Sequence, residues 1–422
     1  MKKILLAAAF TLAGPANCRP AETALNELRA APTPSALQIS ASDPDIPALP
    51  AEPANTGAAK NRAAAGQTNP VTAVEFYSSF NKDGFSDKLA IEVPPGAKSM
   101  QIEIYSDAAG VPLVTDLFRT GADGAVRETL ISYTVEKGFD PDQLRNIKSF
   151  SGEPGPFLSP NRTIYCLHGY GSAVVPNNPG VVLTPGAWKV RVKDVSGNLT
   201  TPKFKLRALF RVPDKTARKR VLPLNLYFSG AAGWTQEAYR SKRADLTDFL
   251  GALTGIFAAA GIDLQIAAVT DLGGASQNPG GLEVNTFEQV ESLLNTGSAT
   301  NGINLFFLRT VLGGLGGFAS GIGGPALSPG YTFGGIALSE PNTRYPRIFA
   351  NTVAHELGHY LGLYHDRELG TLISDQIPDT TPDRKLVNIM SSREPNDPGQ
   401  IREFTPQQIE VISRHPAVIE IP

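Results

Sequence analysis

The chain has 422 residues, more than one ordinary domain holds, so two or three are expected. Hydrophobic residues make up 41 % and charged residues only 18 %, with 41 glycines and 34 prolines, a balance that favours strands, turns and linkers over long solvated helices. The formal net charge of −2, with no basic block, argues against nucleic acid or an anionic membrane surface as a partner.

The opening "MKKILLAAAFTLAGPANC" sets two lysines before an apolar run and then small residues, the layout of a secretory signal peptide over residues 1–17. That run is too short for a transmembrane helix, and no later stretch is long and apolar enough for one. An exported protein is expected, secreted or held at the cell envelope, with membrane contact only if Cys18 carries lipid. "GPANC" is a poor lipidation site, because Pro15 and Asn17 stand where aliphatic and small residues belong. The other cysteine, Cys166 in "TIYCLHG", reads as a strand residue, and a pairing with Cys18 stays open.

Residues 18–70 are rich in Ala, Pro, Ser and Thr and contain no aromatic residue. Such a segment buries too little apolar area to offset its ordering entropy, so it reads as a disordered tether or pro-segment. From Val71 the pattern alternates: "VTAVEFYSSF", "DKLAIEVPPG", "SMQIEIYSD", "RETLISYTV", "NRTIYCLHG" and "GAWKVRVKDVSGN" are strand-like runs between turn residues. This spacing predicts an antiparallel β-sandwich over residues 71–212, with Trp188 as a core anchor and an accessory or pro-domain role.

The basic bridge "RVPDKTARKR" ends this region, and its Arg218–Lys219 pair would suit proteolytic processing as well as an ordinary solvated linker. Over residues 213–422 the texture changes to α/β. "VLPLNLYFSG" reads as a buried strand, a long helical pattern covers Thr235 to Ala260 with Gly261 past its end, and "IDLQIAAVTDL" and "GINLFFLRTVL" read as further strands. "GGLGGFASGIGGPALSPGYTFGG" lacks the G-K-[ST] of a phosphate loop. Leading into "GIALSE", it reads either as a surface loop or as a strand edge that another backbone approaches closely.

Three of the five histidines fall within "HELGHYLGLYH", with His168 and His415 far away in sequence. On a helix His355 and His359, four apart, share one face, and both imidazoles can reach one ion of the zinc type. Glu356 then lies beside that ion, where a general base for hydrolysis belongs. Gly362 can end the helix by taking a positive φ, and the reversed chain would bring His365 in as third ligand. Three protein ligands leave one position open, the mark of catalytic rather than structural zinc.

The H-E-x-x-H-x-x-G-x-x-H pattern resembles the metzincin clan of zinc endopeptidases, and the "DQIPDTTP…NIM" run is similar to pappalysin-type and related bacterial secreted enzymes. The resemblance implies a methionine turn supporting the site, which falls on Met390 in "VNIMSS", and a C-terminal helix in "REFTPQQIEVISRHP". Some clan members carry a zinc-binding tyrosine two residues after the methionine; here that position is Ser392, which argues against such a ligand. The resemblance also raises a structural Ca²⁺ at Asp366, Asp375 and Asp379, with turn-capping as the competing reading.

The expectation is therefore a zinc metalloendopeptidase of metzincin-type α/β fold behind a β-sandwich. Protein or peptide substrates are its partners, Zn²⁺ its cofactor at His355, His359 and His365, and Glu356 its base. Two rivals share the motif: another zincin, with a distant glutamate as third ligand, and a pseudoenzyme that retains metal but lacks turnover. A third is a surface-anchored binding protein whose β-sandwich does the work and whose zinc site is vestigial.

Overall fold

The computed structural model describes residues 60–63, 71–106, 110–132, 163–167, 169–177, 179–194, 203–213, 217–272, 281–296, 302–327, 334–366, 375, 377–380, 388–392 and 402–421. The leader and Cys18 lie outside them. The first unit comprises β1 (Lys60–Ala63), β2 (Val71–Ser79), β3 (Leu89–Val93), β4 (Ser99–Ser106), β5 (Pro112–Thr120), β6 (Val126–Ser132), β7 (Thr163–Leu167), β8 (Tyr170–Val175), β9 (Gly186–Asp194) and β10 (Lys203–Arg211). They form two antiparallel sheets, ordered β1-β2-β10-β4-β8-β7 and β3-β9-β5-β6. Residues 18–70, read from sequence as a disordered tether or pro-segment, include one short described strand. Lys60–Ala63 pair antiparallel with β2, satisfying backbone groups on an edge where composition offers no apolar drive.

Strand β9 shows why these runs become strands. Trp188, Val190 and Val192 are buried, while Lys189, Arg191 and Lys193 alternate with them at intermediate exposure. With Ile91, Met100, Ile102, Ile104, Leu117 and Leu206 they make one apolar core drawn from both sheets. Strand β4 departs from that alternation, because Ser99, Gln101 and Glu103 on its second face are also buried. The second unit covers that face.

That unit comprises β11 (Lys219–Phe228), α1 (Gln236–Arg240), α2 (Ala244–Ala259), β12 (Asp263–Asp271), β13 (Glu283–Val284), α3 (Phe287–Thr296), β14 (Ile303–Phe307), β15 (Thr310–Val311), β16 (Gly317–Ala319), β17 (Ile336–Leu338), α4 (Pro346–Tyr360), α5 (Pro406–Ile412) and β18 (Ile419–Ile421). Its main sheet runs β12-β11-β14-β17-β16. β12, β11, β14 and β17 are mutually parallel, and β16 is antiparallel at the edge. The fold of this half is α/β. Strand β14 is buried along its whole length and β11 along most of it, which explains their unbroken apolar runs. Phe249 of α2, Phe349 of α4, Trp234 and Phe307 cluster on one face. Val290 and Leu294 of α3 meet Phe306 and Phe318 in a second cluster.

The single helix expected from Thr235 to Ala260 is two. Lys242 takes a left-handed φ of 55° between them, and Asp245 at the start of α2 accepts from Trp234 Nε1 at 3.0 Å and pairs with Arg243 at 2.9 Å. The break lets Phe249, Leu253 and Phe257 lie on the sheet at helical spacing. The Arg218–Lys219 pair is not a free linker either: Arg218 N donates to Ile421 O at 3.0 Å, and Lys219 opens β11 opposite Ile421 of β18. A cut there would require opening a β-ladder.

The two units meet through buried polar groups. Ser99 Oγ donates to Arg414 O at 2.6 Å, Arg414 Nη1 to Pro176 O at 2.8 Å, and Arg211 pairs with Glu420 at 2.8 Å. Fully buried His415 faces Gly324 O through Nε2 at 2.8 Å and accepts from Ala417 N through Nδ1 at 3.1 Å, so it is neutral with the proton on Nε2. Burial, helped by the Arg211 charge and opposed by the Gly324 bond, lowers its pKa to about 4.

The folded pKa therefore lies below an unfolded value near 6.5. Stability from this group is complete above pH ~6.5, falls as the unfolded chain takes up the proton, and levels off below pH ~4. The loss across that window is on the order of 3 kcal/mol. Replacing His415 by Gln removes it: the gap in unfolding free energy between wild type and variant, read from urea melts at pH 7.5 and 4, should shrink by about that amount. A gap independent of pH would refute the assignment.

Candidate metal centre

Helix α4 carries the motif. Pro346 in its first turn has no amide to waste, and Phe349, Ala350, Val353, Ala354, Leu357 and Tyr360 are buried. The helix stops at Tyr360, with Leu361 as its C-cap. Gly362 follows at φ 105°, a conformation that disfavours any side chain. Leu363 N then donates back to Gly358 O at 2.9 Å, and the chain reverses toward His365.

The reversal brings three rings to one point. Nε2 of His359 lies 3.1 Å from Nε2 of both His355 and His365, and those two are 3.2 Å apart. All three residues are buried. Nδ1 of His355 faces Ile389 O at 2.7 Å, and Nδ1 of His359 faces Leu363 O at 2.8 Å. A carbonyl only accepts, so both Nδ1 atoms hold the proton and both Nε2 lone pairs face inward. Burial holds both rings neutral, lowering His355 to about pKa 3 and His359 well below its usual value.

Two inward-facing lone pairs meeting a third ring nitrogen at 3.1–3.2 Å make an arrangement that suits a cation. A tetrahedral zinc with Zn–N near 2.0–2.1 Å separates its nitrogens by about 3.3–3.4 Å, close to the triangle observed. Among the described residues, these histidines form the group able to hold a metal, with ligand atoms all within 4.8 Å of one another. The residue types and spacing fit zinc.

Glu356 lies on the same helix, 1 % exposed. Its Oε2 accepts from Ala319 N of β16 at 3.1 Å. Oε1 is buried with no hydrogen-bond partner among the described residues. Burial raises this carboxyl to about pKa 7, with His365 and the Ala319 amide pulling the other way. Edge strand β16 comes so close that a Cβ on Gly317 would lie 2.5 Å from Glu356 Cγ. The sequence expectation gave the edge role jointly to the glycine-rich segment and "GIALSE"; β17 is an inner strand, and β16 within the glycine-rich segment is the edge.

Met390 is fully buried against α4, and a side chain at Gly358 would collide with its Sδ. The turn around it does more than provide an apolar floor. Ile389 O orients His355, and Met390 O accepts from Asp366 N, just past His365, at 3.0 Å. Asn388 Oδ1, which sequence reading did not single out, accepts from Met390 N at 2.7 Å and from Gln408 Nε2 at 3.2 Å, tying the turn to α5. A polar residue two before an isolated methionine was the available signal.

Two of the three aspartates considered for calcium, Asp375 and Asp379, accept hydrogen bonds from neighbouring turns. Asp375 Oδ1 accepts from Ile377 N at 3.0 Å and from Thr380 Oγ1, and burial pushes its carboxyl up to about pKa 7. Asp379 accepts from Thr405 Oγ1 at 2.7 Å and from Gln407 N at 3.0 Å at the start of α5.

An α/β sheet, helix α4 and the turn after it together build this three-histidine centre, and a match to a known family falls on the same region. The model of the metallo-peptidase family M12B, reprolysin-like, matches residues 249–366, which include the whole motif. No curated protein matches the chain at a significant level. Among solved structures, metalloproteinase-II from Bacteroides fragilis is similar at 18 % identity over 48 % of this chain and 55 % of that one, with a TM-score of 0.31. The chain thus spans about half the length of that protein. Archaemetzincin from Methanopyrus kandleri is similar at 15 % identity over 48 % of this chain and 98 % of that one, with a TM-score of 0.29.

Proposed function

We propose that this protein is an exported, zinc-dependent endopeptidase. A leader over 1–17 and a tether from 18 precede a β-sandwich over 71–212 and a metzincin-type catalytic domain over 213–422. The observation that carries the reading is the Nε2 triangle of His355, His359 and His365 beside a buried carboxylate, Glu356, with one oxygen uncommitted. Zinc held by the three histidines supplies a Lewis acid for the scissile carbonyl and acidifies water.

Glu356 does the proton work. Oε1 takes a proton from the attacking water and later delivers it to the leaving amine, while the Ala319 amide on Oε2 keeps the carboxyl in place. An extended peptide adds alongside edge strand β16, whose backbone offers hydrogen bonds next to Glu356. Export is supported by the lysine-led apolar opening. No helix among the described residues is long and apolar enough to cross a membrane.

Metal removal tests the reading. Purified protein should cleave a denatured protein or mixed peptide substrate, lose all measurable cleavage after dialysis against a chelator, and regain it with stoichiometric zinc. Cleavage that persists in metal-free protein would overturn it. A protein that binds zinc but cleaves nothing once processed would favour the binding-protein rival.

A further inference from the structure

We propose that the two-sheet N-terminal unit is a permanent part of the metal centre, with Asn177 the positioning residue for the turn that delivers His365. This rests on the zinc reading of the three histidines.

The loop from Gly323 to Ala326 connects the N-terminal unit to the end of α4. The last carbonyls of the helix are bonded by glycine amides: Gly323 N donates to His359 O at 3.1 Å and Gly324 N to Tyr360 O at 2.7 Å. Those glycines are in turn held from the other side. Gly323 O accepts from Ser172 Oγ at 2.8 Å and Tyr170 OH at 3.3 Å, and Gly324 O from Gln101 Nε2 at 2.6 Å. Glu103, fully buried in β4, accepts from Ala326 N. Tyr360 OH donates to Pro325 O at 2.6 Å, so the loop is bonded to the helix end from both directions.

Asn177 reaches the turn itself. Its Nδ2 donates to Gly362 O at 3.1 Å, and the residue is 4 % exposed. The peptide plane between Gly362 and Leu363 is anchored through Leu363 N on Gly358 O and through Gly362 O on Asn177. At φ 105° the glycine has little intrinsic preference to keep that plane in one orientation. The next carbonyl, Leu363 O, receives His359 Nδ1, and His365 follows two residues later. Releasing Gly362 O removes one anchor of the segment that orients one ligand and carries another. Departure of the unit on activation would take the Ser172, Tyr170 and Asn177 donors away from Gly323 O and Gly362 O and part Glu103 from Ala326 N, so the unit stays.

The test is zinc affinity in the full-length protein, measured by competition with a chromophoric chelator. Asn177→Asp keeps the shape and loses the donor; it should raise the Kd for zinc about 10- to 100-fold, as loss of a group orienting a ligand does. Asn177→Gln keeps a donor and should recover part of that loss. Ser99→Ala, in the same interface but bonded to Arg414, should lower the unfolding midpoint without moving the Kd. Asp and Gln variants that both bind zinc within twofold of wild type would overturn the positioning role. A Ser99→Ala shift equal to that of Asn177→Asp would reduce Asn177 to general stability and overturn it too. Wild type that binds no zinc would instead sink the metallopeptidase reading beneath it.

Discussion

Replacing Glu356 by Gln should lower kcat/KM for peptide hydrolysis by about 10²- to 10⁴-fold, the usual worth of general acid–base catalysis. Glutamine is close to an isostere in a position that is 1 % exposed and has little freedom to rearrange. Its amide oxygen can still accept from Ala319 N, so the side chain keeps its place. What disappears is the ability to take a proton. The histidine triangle is untouched, so zinc content by metal analysis should stay at one per chain and the unfolding midpoint near that of wild type. The loss should fall on kcat with KM little changed, because the missing interaction is made in the transition state. Activity surviving undiminished would place the base elsewhere and sink the proposed mechanism.

The parts of this centre that sequence makes legible are those fixed by local spacing. His355 and His359 are four apart on a helix whose apolar positions declare its buried face, and Gly362 announces the reversal that brings in His365. Met390 stands out because the chain has only three methionines. What sequence does not reveal depends on long-range packing. Gly317 lies 39 residues before Glu356, and nothing in "GGLGGFASG" says which glycine faces a carboxylate. The polar face of β4, with Gln101 and Glu103, reads as solvent-facing under simple alternation; only docking of the second unit buries it. His415 lies 50 residues beyond His365 and looked unrelated to it. The fold places it under α4, with its ring 5.7 Å from that of Tyr360. The same docking makes Asn177 a neighbour of Gly362, a relation that no spacing rule encodes.

Gly317→Ala should be nearly as damaging to catalysis as loss of the base, although it adds one methyl group and removes nothing. The new Cβ would stand 2.5 Å from Glu356 Cγ, 2.8 Å from Cδ and 2.9 Å from Oε1. Those are the root and head of a side chain that is 1 % exposed, so no flexible far end can swing aside. The clash is relieved only if β16 moves off the helix or Glu356 turns away from the centre. The first shifts the strand along which an extended peptide would lie, and the second misdirects the carboxylate. A misplacement near 1 Å costs about 10²-fold in rate, and kcat/KM should fall by that order. The added methyl meets Glu356 rather than the histidines, so zinc Kd by chelator competition should hold within a few-fold. Gly251→Ala gives the contrast: it sits within α2 in open space, and should leave activity unchanged while adding up to about 1 kcal/mol of stability. Wild-type kcat/KM in Gly317→Ala would show that Glu356 yields without cost, and that its packed position against β16 is not what makes it effective.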